Sequence, residues 1–232
     1  MYYNSVLKNT SQIDEAVKYL FSLNLFPHSD RVKSWDVSKM VDIINKADRT
    51  SSILDVGCNG SPILLMLKSL GFTELYGCDL FFDASSNSQP GINKTAQLNL
   101  SIQNLENTNY RNDMFDYITS LSVIEHGVNI EKYFIEMNRI LKKGGLLLTS
   151  TDYWHDKINN STKVFSFSTV PDKIFSRNEM ENIVILAEEN GFELIEPIDY
   201  VCEDKVVHWH SIGIDLTFLF FALRKTHASI DK

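Results

Sequence analysis

The segment Ser52-Ile53-Leu54-Asp55-Val56-Gly57 constrains the fold more than any other part of the chain. It is a short apolar run ending in glycine, as expected of a buried strand. Pro62 then opens a second apolar run, Ile63 to Leu70, which Gly71 closes. Proline in the first turn and glycine after the last mark the two ends of a helix. A buried strand that turns directly into a helix is the first half of a strand–helix–strand unit, and such units build parallel sheets.

The same alternation continues. Glu74 to Asp79 (ELYGCD) reads as a second strand, Gln97 to Leu100 as a third and Phe115 to Leu121 as a fourth. Ile130 to Leu141 has helical spacing, and Gly144-Gly145 leads into a fifth strand, Leu146 to Ser150. Ser176 with Glu179 forms a capping box ahead of a helix that reaches Asn190 and ends at Gly191. Phe192 to Ile198 and Asp215 to Leu223 are two late strands with no helix between them, so they pair antiparallel. The expected fold class is α/β: a Rossmann-like, doubly wound sheet of seven strands, mostly parallel with one antiparallel strand. Residues 1–50 read as an N-terminal helical cap or lid, with apolar residues at helical spacing from Ile13 to Leu23 and from Val37 to Ile44. Ser34 or Asp36 is placed to cap the second of these helices.

Composition narrows the function classes. With 22 basic against 30 acidic residues the net charge is -8, and there is no basic cluster to neutralise phosphates, so nucleic acid is not an expected partner. Three cysteines, Cys58, Cys78 and Cys202, do not make a disulfide framework and fit a reducing compartment. The first residues lack the pattern of a signal peptide, and Leu216 to Leu223 is too short to span a bilayer. The expected setting is cytoplasmic, without membrane insertion.

Ligands of open α/β sheets bind at the carboxyl ends of the strands. Gly57 would let a ligand approach the backbone there, Asn59 tolerates a positive φ, and the helix N-terminus beyond favours an anionic group. Asp79, 24 residues after Asp55, ends the second strand where an acid can accept hydrogen bonds from ribose hydroxyls. A dinucleotide dehydrogenase would want G-x-G-x-x-G at the turn, and Asn59 stands where its middle glycine belongs.

ILDVGCNGS, LYGCDL, FDYITSLSVIEHG and ILKKGGLLLTSTDYW, in that order and spacing, resemble the small-molecule class I methyltransferases of the "methyltransferase domain 11" type. The resemblance runs over roughly residues 50 to 224 and extends to FSRNEMENIVILAEENGFEL as the closing helix and sixth strand. It implies that residues 51–232 are a methyltransferase domain using S-adenosylmethionine. Asp55, Gly57 and Asn59 would lie around the methionine part of the cofactor, and Asp79 at the ribose, with Leu80 on the adenine. Ser101 and Ile102 match the place of the family's adenine-binding acid, here a weaker hydroxyl acceptor. Leu121 and Ser122 would lie next to the sulfonium, and Glu125-His126 matches the family's frequent E-H pair.

A hydroxyl or amine acceptor calls for a base, and Glu125, His126, Asp152 and His155 are the candidates. Relatives in the ubiquinone pathway hold a metal with E-x-x-E-H; Ser122 replaces the first glutamate here, and no metal is expected. His208 and His210 share a strand face but have no clear third ligand. Tyr153, Trp154, Phe165, Phe167, Tyr200 and Trp209 would suit a sugar ring or flat molecule, or pack a lid. The acceptor pocket is expected from residues 1–50, 152–175 and 200–214. The leading function is an O-methyltransferase of a small-molecule or sugar-like acceptor. The alternatives are N- or C-methylation of another metabolite, or a non-catalytic S-adenosylmethionine-binding or scaffold protein on the same fold.

Overall fold

The computed structural model describes residues 3–80, 98–159, 172–211 and 213–227. Among these residues, nine strands form one sheet, not seven. They are β1 (Ser5–Val6), β2 (Ile53–Val56), β3 (Leu75–Asp79), β4 (Asn99–Ile102), β5 (Phe115–Leu121), β6 (Leu141–Tyr153), β7 (Phe192–Leu194), β8 (Val207–Trp209) and β9 (Ile214–Lys225). The helices are α1 (Thr10–Ser22), α2 (Ser34–Ile44), α3 (Ile63–Ser69), α4 (Ile130–Ile140) and α5 (Arg177–Glu189). The order along the main path is β1-β9-β6-β5-β2-β3-β4, with β7 and β8 also paired to β9. Strands β4, β3, β2, β5 and β6 are mutually parallel, and β6, β1, β7 and β8 are all antiparallel to β9. The one strand running against the others is therefore β9, as expected of the last strand.

The period of two along β9 divides the core. Phe218, Phe220 and Ala222 face the layer of α1, α2 and α3, while Leu219, Phe221 and Leu223 face that of α4 and α5. All six are fully buried, so β9 is apolar on both faces, as a strand between two helical layers must be. The helix signals act as expected where they are local. Asn129 accepts from the Lys132 amide at the start of α4, and Ser176 and Glu179 form the complete capping box of α5.

Several elements differ from the sequence reading. Residues 1–50 are not wholly helical: Ser5 and Val6 pair with Phe220 and Leu219 on the edge of β9 opposite β6. Helix α2 is a wall of the core rather than an outlying cap, with Trp35, Val37, Met40, Val41 and Ile44 buried. Neither Ser34 nor Asp36 caps it; a 3-10 turn, Arg31–Lys33, runs straight into it, and Asp36 is buried instead. The third strand is Asn99–Ile102, and Gln97 lies outside the described residues. The fifth predicted strand extends at both ends, to Leu141 and Tyr153, with a register shift opposite Phe115 and Tyr117 where Gly144 takes a positive φ. The sixth stops at Leu194. Among the described residues, no helix is long and apolar enough to cross a membrane.

Candidate active site at the carboxyl ends of the strands

The parallel strands bring four short segments together at one end of the sheet. Val56 pairs with Cys78 on one side and Ser120 on the other, and Asp79 pairs with Ile102, so Gly57, Asp79, Ile102 and Leu121 end neighbouring strands. The amides of Gly57 and Cys58 both donate to the Cys78 carbonyl, which folds the loop across the end of β3. Gly57 has φ +66°, and a Cβ there would lie 2.5 Å from Val123 Cγ2. The other left-handed residue of the loop is Gly60 (φ +86°); Asn59 does not take a positive φ. Instead its amide donates to Asp79 Oδ2 at 3.1 Å, tying loop and acid together.

Asp55 is fully buried. Its Oδ1 accepts from Thr119 Oγ1 at 2.6 Å, and Oδ2 has no well-formed hydrogen bond. Burial pushes this carboxyl up to about 6, against the opposing pull of the Ser61 and Thr119 hydroxyls. A buried acid short of a partner, under a loop that accepts close approach, suits the cationic methionine end of S-adenosylmethionine. Leu80 and Ile102 stand 50% and 65% exposed at adjacent strand ends, an apolar pair beside Asp79 fit to hold a purine. Ser101 is turned to Tyr110, its Oγ 2.9 Å from the phenol oxygen, so the expected adenine contact would compete with a partner the sequence did not suggest.

Beyond this end lies a cavity of about 320 Å³. Gly57, Asn59, Gly60 and Ser61 form one side of it; Leu121, Ser122, Glu125, His126 and Asp152 form its floor; His28, Asp30, Lys33 and Trp209 close it. Ser122 is held at φ +52° with its amide on the Ser150 carbonyl. Glu125 is buried and accepts from Thr151 Oγ1 (3.0 Å). Asp152 lies inside β6 rather than after it, and Trp209 Nε1 donates to its Oδ2 at 2.9 Å. Burial, and then the facing Glu125, raise the Asp152 carboxyl well above the usual range, while Lys33 and Trp209 work the other way. His126 Nδ1 lies 2.6 Å from Asp172 Oδ1. Burial alone would pull this imidazole down, but Glu125, Asp172 and Asp152 together carry it above its ordinary value.

Three of the four predicted bases, Glu125, His126 and Asp152, thus line one cavity. His155 does not; it lies past the end of β6, against Trp154 and paired with Asp156. Of the predicted aromatics among the described residues, only Trp209 lines the cavity. Tyr153 is core and packs on Tyr200, Trp154 is buried, and Phe165 and Phe167 lie outside the described residues. His208 bonds Asp215, and among the described residues no group of three or more His, Cys, Asp or Glu is arranged for a metal. The residues also fit a dication poorly, because the Lys33 ammonium lies against Ser122 Oγ.

Sequence reasoning missed Lys33, and it gave Asp36 the wrong role. Asp36 accepts from Ser150 Oγ at 3.0 Å and from the Val37 amide, and burial pushes it up to about 6. The only signal was a pair of charges three apart, Lys33 and Asp36, set among Val32, Trp35 and Val37.

A stability prediction follows from Asp152. Its raised carboxyl is neutral in the folded chain at mildly acidic pH, and rising pH forces a poorly solvated charge beside Glu125. The sign is therefore loss of stability as pH rises through the raised value. Asp152→Asn removes that penalty and keeps an acceptor for Trp209. It is expected to stabilise the ligand-free protein at pH 8 by roughly 1–3 kcal/mol, and by less at pH 5. Thermal unfolding at the two pH values measures it; an equal or opposite change would show that Asp152 is not strained by its charge.

Residues 54–149 match the family described as "Methyltransferase domain". The chain is 31% identical over 136 residues to the mitochondrial ubiquinone biosynthesis O-methyltransferase of Dictyostelium discoideum, covering 53% of this chain and 41% of that protein. It is 30% identical over 121 residues to the ubiquinone biosynthesis O-methyltransferase of Rickettsia typhi, covering 51% and 45%. The chain thus spans about half the length of the curated relatives it matches, or less. Among solved structures, the 1,6-didemethyltoxoflavin-N1-methyltransferase of Burkholderia thailandensis aligns with a TM-score of 0.60 at 13% identity, over 94% of this chain and 88% of that one. A SAM-dependent methyltransferase from Methanosarcina mazei aligns with a TM-score of 0.56 at 15% identity, over 80% and 97%. Those identities carry the fold alone, a Rossmann-like methyltransferase fold, and the domain match covers residues 54–149 of the chain.

Proposed function

We propose that the protein transfers a methyl group from S-adenosylmethionine to a hydroxyl oxygen of a small-molecule acceptor. The observation that carries this reading is the single cavity joining the Gly57–Ser61 loop to Glu125, His126 and Asp152. Similarity to two named O-methyltransferases favours oxygen as the methylated atom. Asp55 and the loop amides would hold the methionine end, Asp79 the ribose, and Leu80 with Ile102 the adenine. S-adenosylmethionine, when bound, supplies an activated sulfonium methyl; the acceptor oxygen gains it and loses its proton, and the sulfur keeps the electron pair of the broken bond.

The chain's own residues orient the acceptor and take that proton. His126 is the base best placed, since Asp172 at Nδ1 fixes the ring and directs basicity to Nε2. Its raised value brings it toward neutrality, where a general base works best. Asp152, buried and facing Glu125, keeps its proton further up the pH range than an ordinary aspartate. Trp209 and the wall from His28 to Lys33 exclude water from the acceptor.

Calorimetry with S-adenosylhomocysteine tests the cofactor half. The wild-type protein is expected to bind it, and Asp79→Ala to weaken binding by about 1.5–3 kcal/mol, the size of a charge-assisted hydrogen bond. That is roughly a 10- to 150-fold rise in Kd. No binding by folded wild-type protein would refute the reading; an unchanged Kd for Asp79→Ala would reject the ribose role alone.

A further inference from the structure

Lys33 is a buried ammonium with more donors than partners. It ends the 3-10 turn ahead of α2 and is 8% exposed, yet it lines the cavity. Its Nζ donates to Ser122 Oγ and sits 3.8 Å from the centroid of the Phe218 ring. Asp36 Oδ2, at 3.9 Å, is beyond hydrogen-bond reach. An ammonium carries three N–H groups, and among the described residues one of these has a hydrogen-bond partner. The titratable groups facing it are Asp36 from α2, Asp152 from β6 and His28 from the preceding loop. Burying a charge with unused donors is unfavourable unless a ligand supplies acceptors.

Sheet order tells which ligand. Asp55, Asp79 and Ile102 stand on β2, β3 and β4, toward one edge. Lys33 touches the end of β5 and, on β9, Phe218, which lies beyond β6 on the other side. Its spare donors therefore face the acceptor side of the site, away from the adenosine.

Building on the methyltransferase reading above, we propose that Lys33 donates a hydrogen bond to the acceptor oxygen that receives the methyl group. In doing so it restricts the site to ionisable hydroxyls such as phenols. The selection follows from lone pairs. A hydroxyl oxygen that accepts from Lys33 keeps a second pair for attack, whereas a neutral amine nitrogen has one pair, and accepting from Lys33 consumes it. A developing phenolate is further stabilised by the ammonium, while an ammonium-form amine is repelled. The hydroxyl proton goes to His126, not to Lys33.

The test uses an isosteric pair, 4-nitrophenol and 4-nitroaniline, titrated into the full chain saturated with S-adenosylhomocysteine. Absorbance reads how much nitrophenol is bound as phenolate. The wild-type complex is expected to lower the pKa of bound nitrophenol by about one unit or more, as an opposite charge in contact does. It should bind nitroaniline at least tenfold more weakly. Lys33→Met, close in length and apolar, should lose the shift; Lys33→Arg should keep part of it; both should keep the Kd for S-adenosylhomocysteine within about threefold, which also reports the fold. A wild-type complex that binds nitrophenol without a shift, or not at all, overturns the assignment, as does a Lys33→Met protein that retains the shift. Equal binding of nitroaniline overturns the selection for oxygen. Loss of S-adenosylhomocysteine binding by the wild-type protein would instead sink the methyltransferase reading, and this assignment with it.

Discussion

Replacing His126 by glutamine is expected to lower kcat for methyl transfer by about 10²–10⁴-fold, the usual contribution of a positioned general base. Glutamine keeps a hydrogen bond toward Asp172 but cannot accept the proton. The wild-type rate should rise with pH, because only the neutral imidazole is a base, and should level off above a midpoint higher than 6.5, since the acids around His126 raise it. That limb should disappear in His126→Gln, while the Kd for S-adenosylhomocysteine changes little. Initial rates across pH, measured with phenol itself as the acceptor, which keeps its proton over that range, provide the check. A variant that keeps the limb and most of the rate would move the base to Asp152 or Glu125. Asp172→Asn separates the two further: it should lower the midpoint by removing a negative neighbour without abolishing turnover.

Gly57→Ala is expected to be the most damaging single change in the cofactor loop. At φ +66° a side chain is strained by about 1–3 kcal/mol before any contact is considered. The new Cβ would lie 2.5 Å from Val123 Cγ2. Val123 is buried and β-branched, so its rotamer has little room to give. Together the two effects should destabilise the protein by roughly 2–4 kcal/mol. They should also swing the loop off the Cys78 carbonyl and weaken cofactor binding. Denaturant unfolding and calorimetry on the same preparation measure both. The double variant Gly57→Ala/Val123→Ala removes the clash but not the backbone strain. It should recover part of the stability; full recovery would mean that φ is not constrained here, and no recovery that Val123 is not the obstacle.

The loop between β2 and α3 was legible in the sequence because its signals are local. A strand that ends in Gly57, a helix that starts after Pro62 and an acid at the end of the next strand are each set by residues a few positions apart. The parallel sheet then had to bring Asp55, Gly57 and Asp79 together, since Asp55 pairs with Gly77 and Val56 with Cys78. The capping box at Ser176 was legible for the same reason. Glu125 and His126, directly after the fourth predicted strand, were placed by the same logic.

The rest of the cavity was decided only by the tertiary structure. Two residues, Ser5 and Val6, are too few to show a period, so their place on β9 has no sequence signal. An aspartate near a helix start reads as a cap, yet Asp36 faces Ser150 across 114 positions, and burial against the sheet overrides the local preference. Likewise Lys33 and Trp209 meet at the cavity from opposite ends of the chain, and His155 lies outside it although it stands three residues after Asp152. Turn chemistry and periodicity fix which residues form a strand or helix. Which face of one element meets which face of another depends on packing summed over the whole core, and a charge in an apolar run takes its role from whatever that packing sets opposite it.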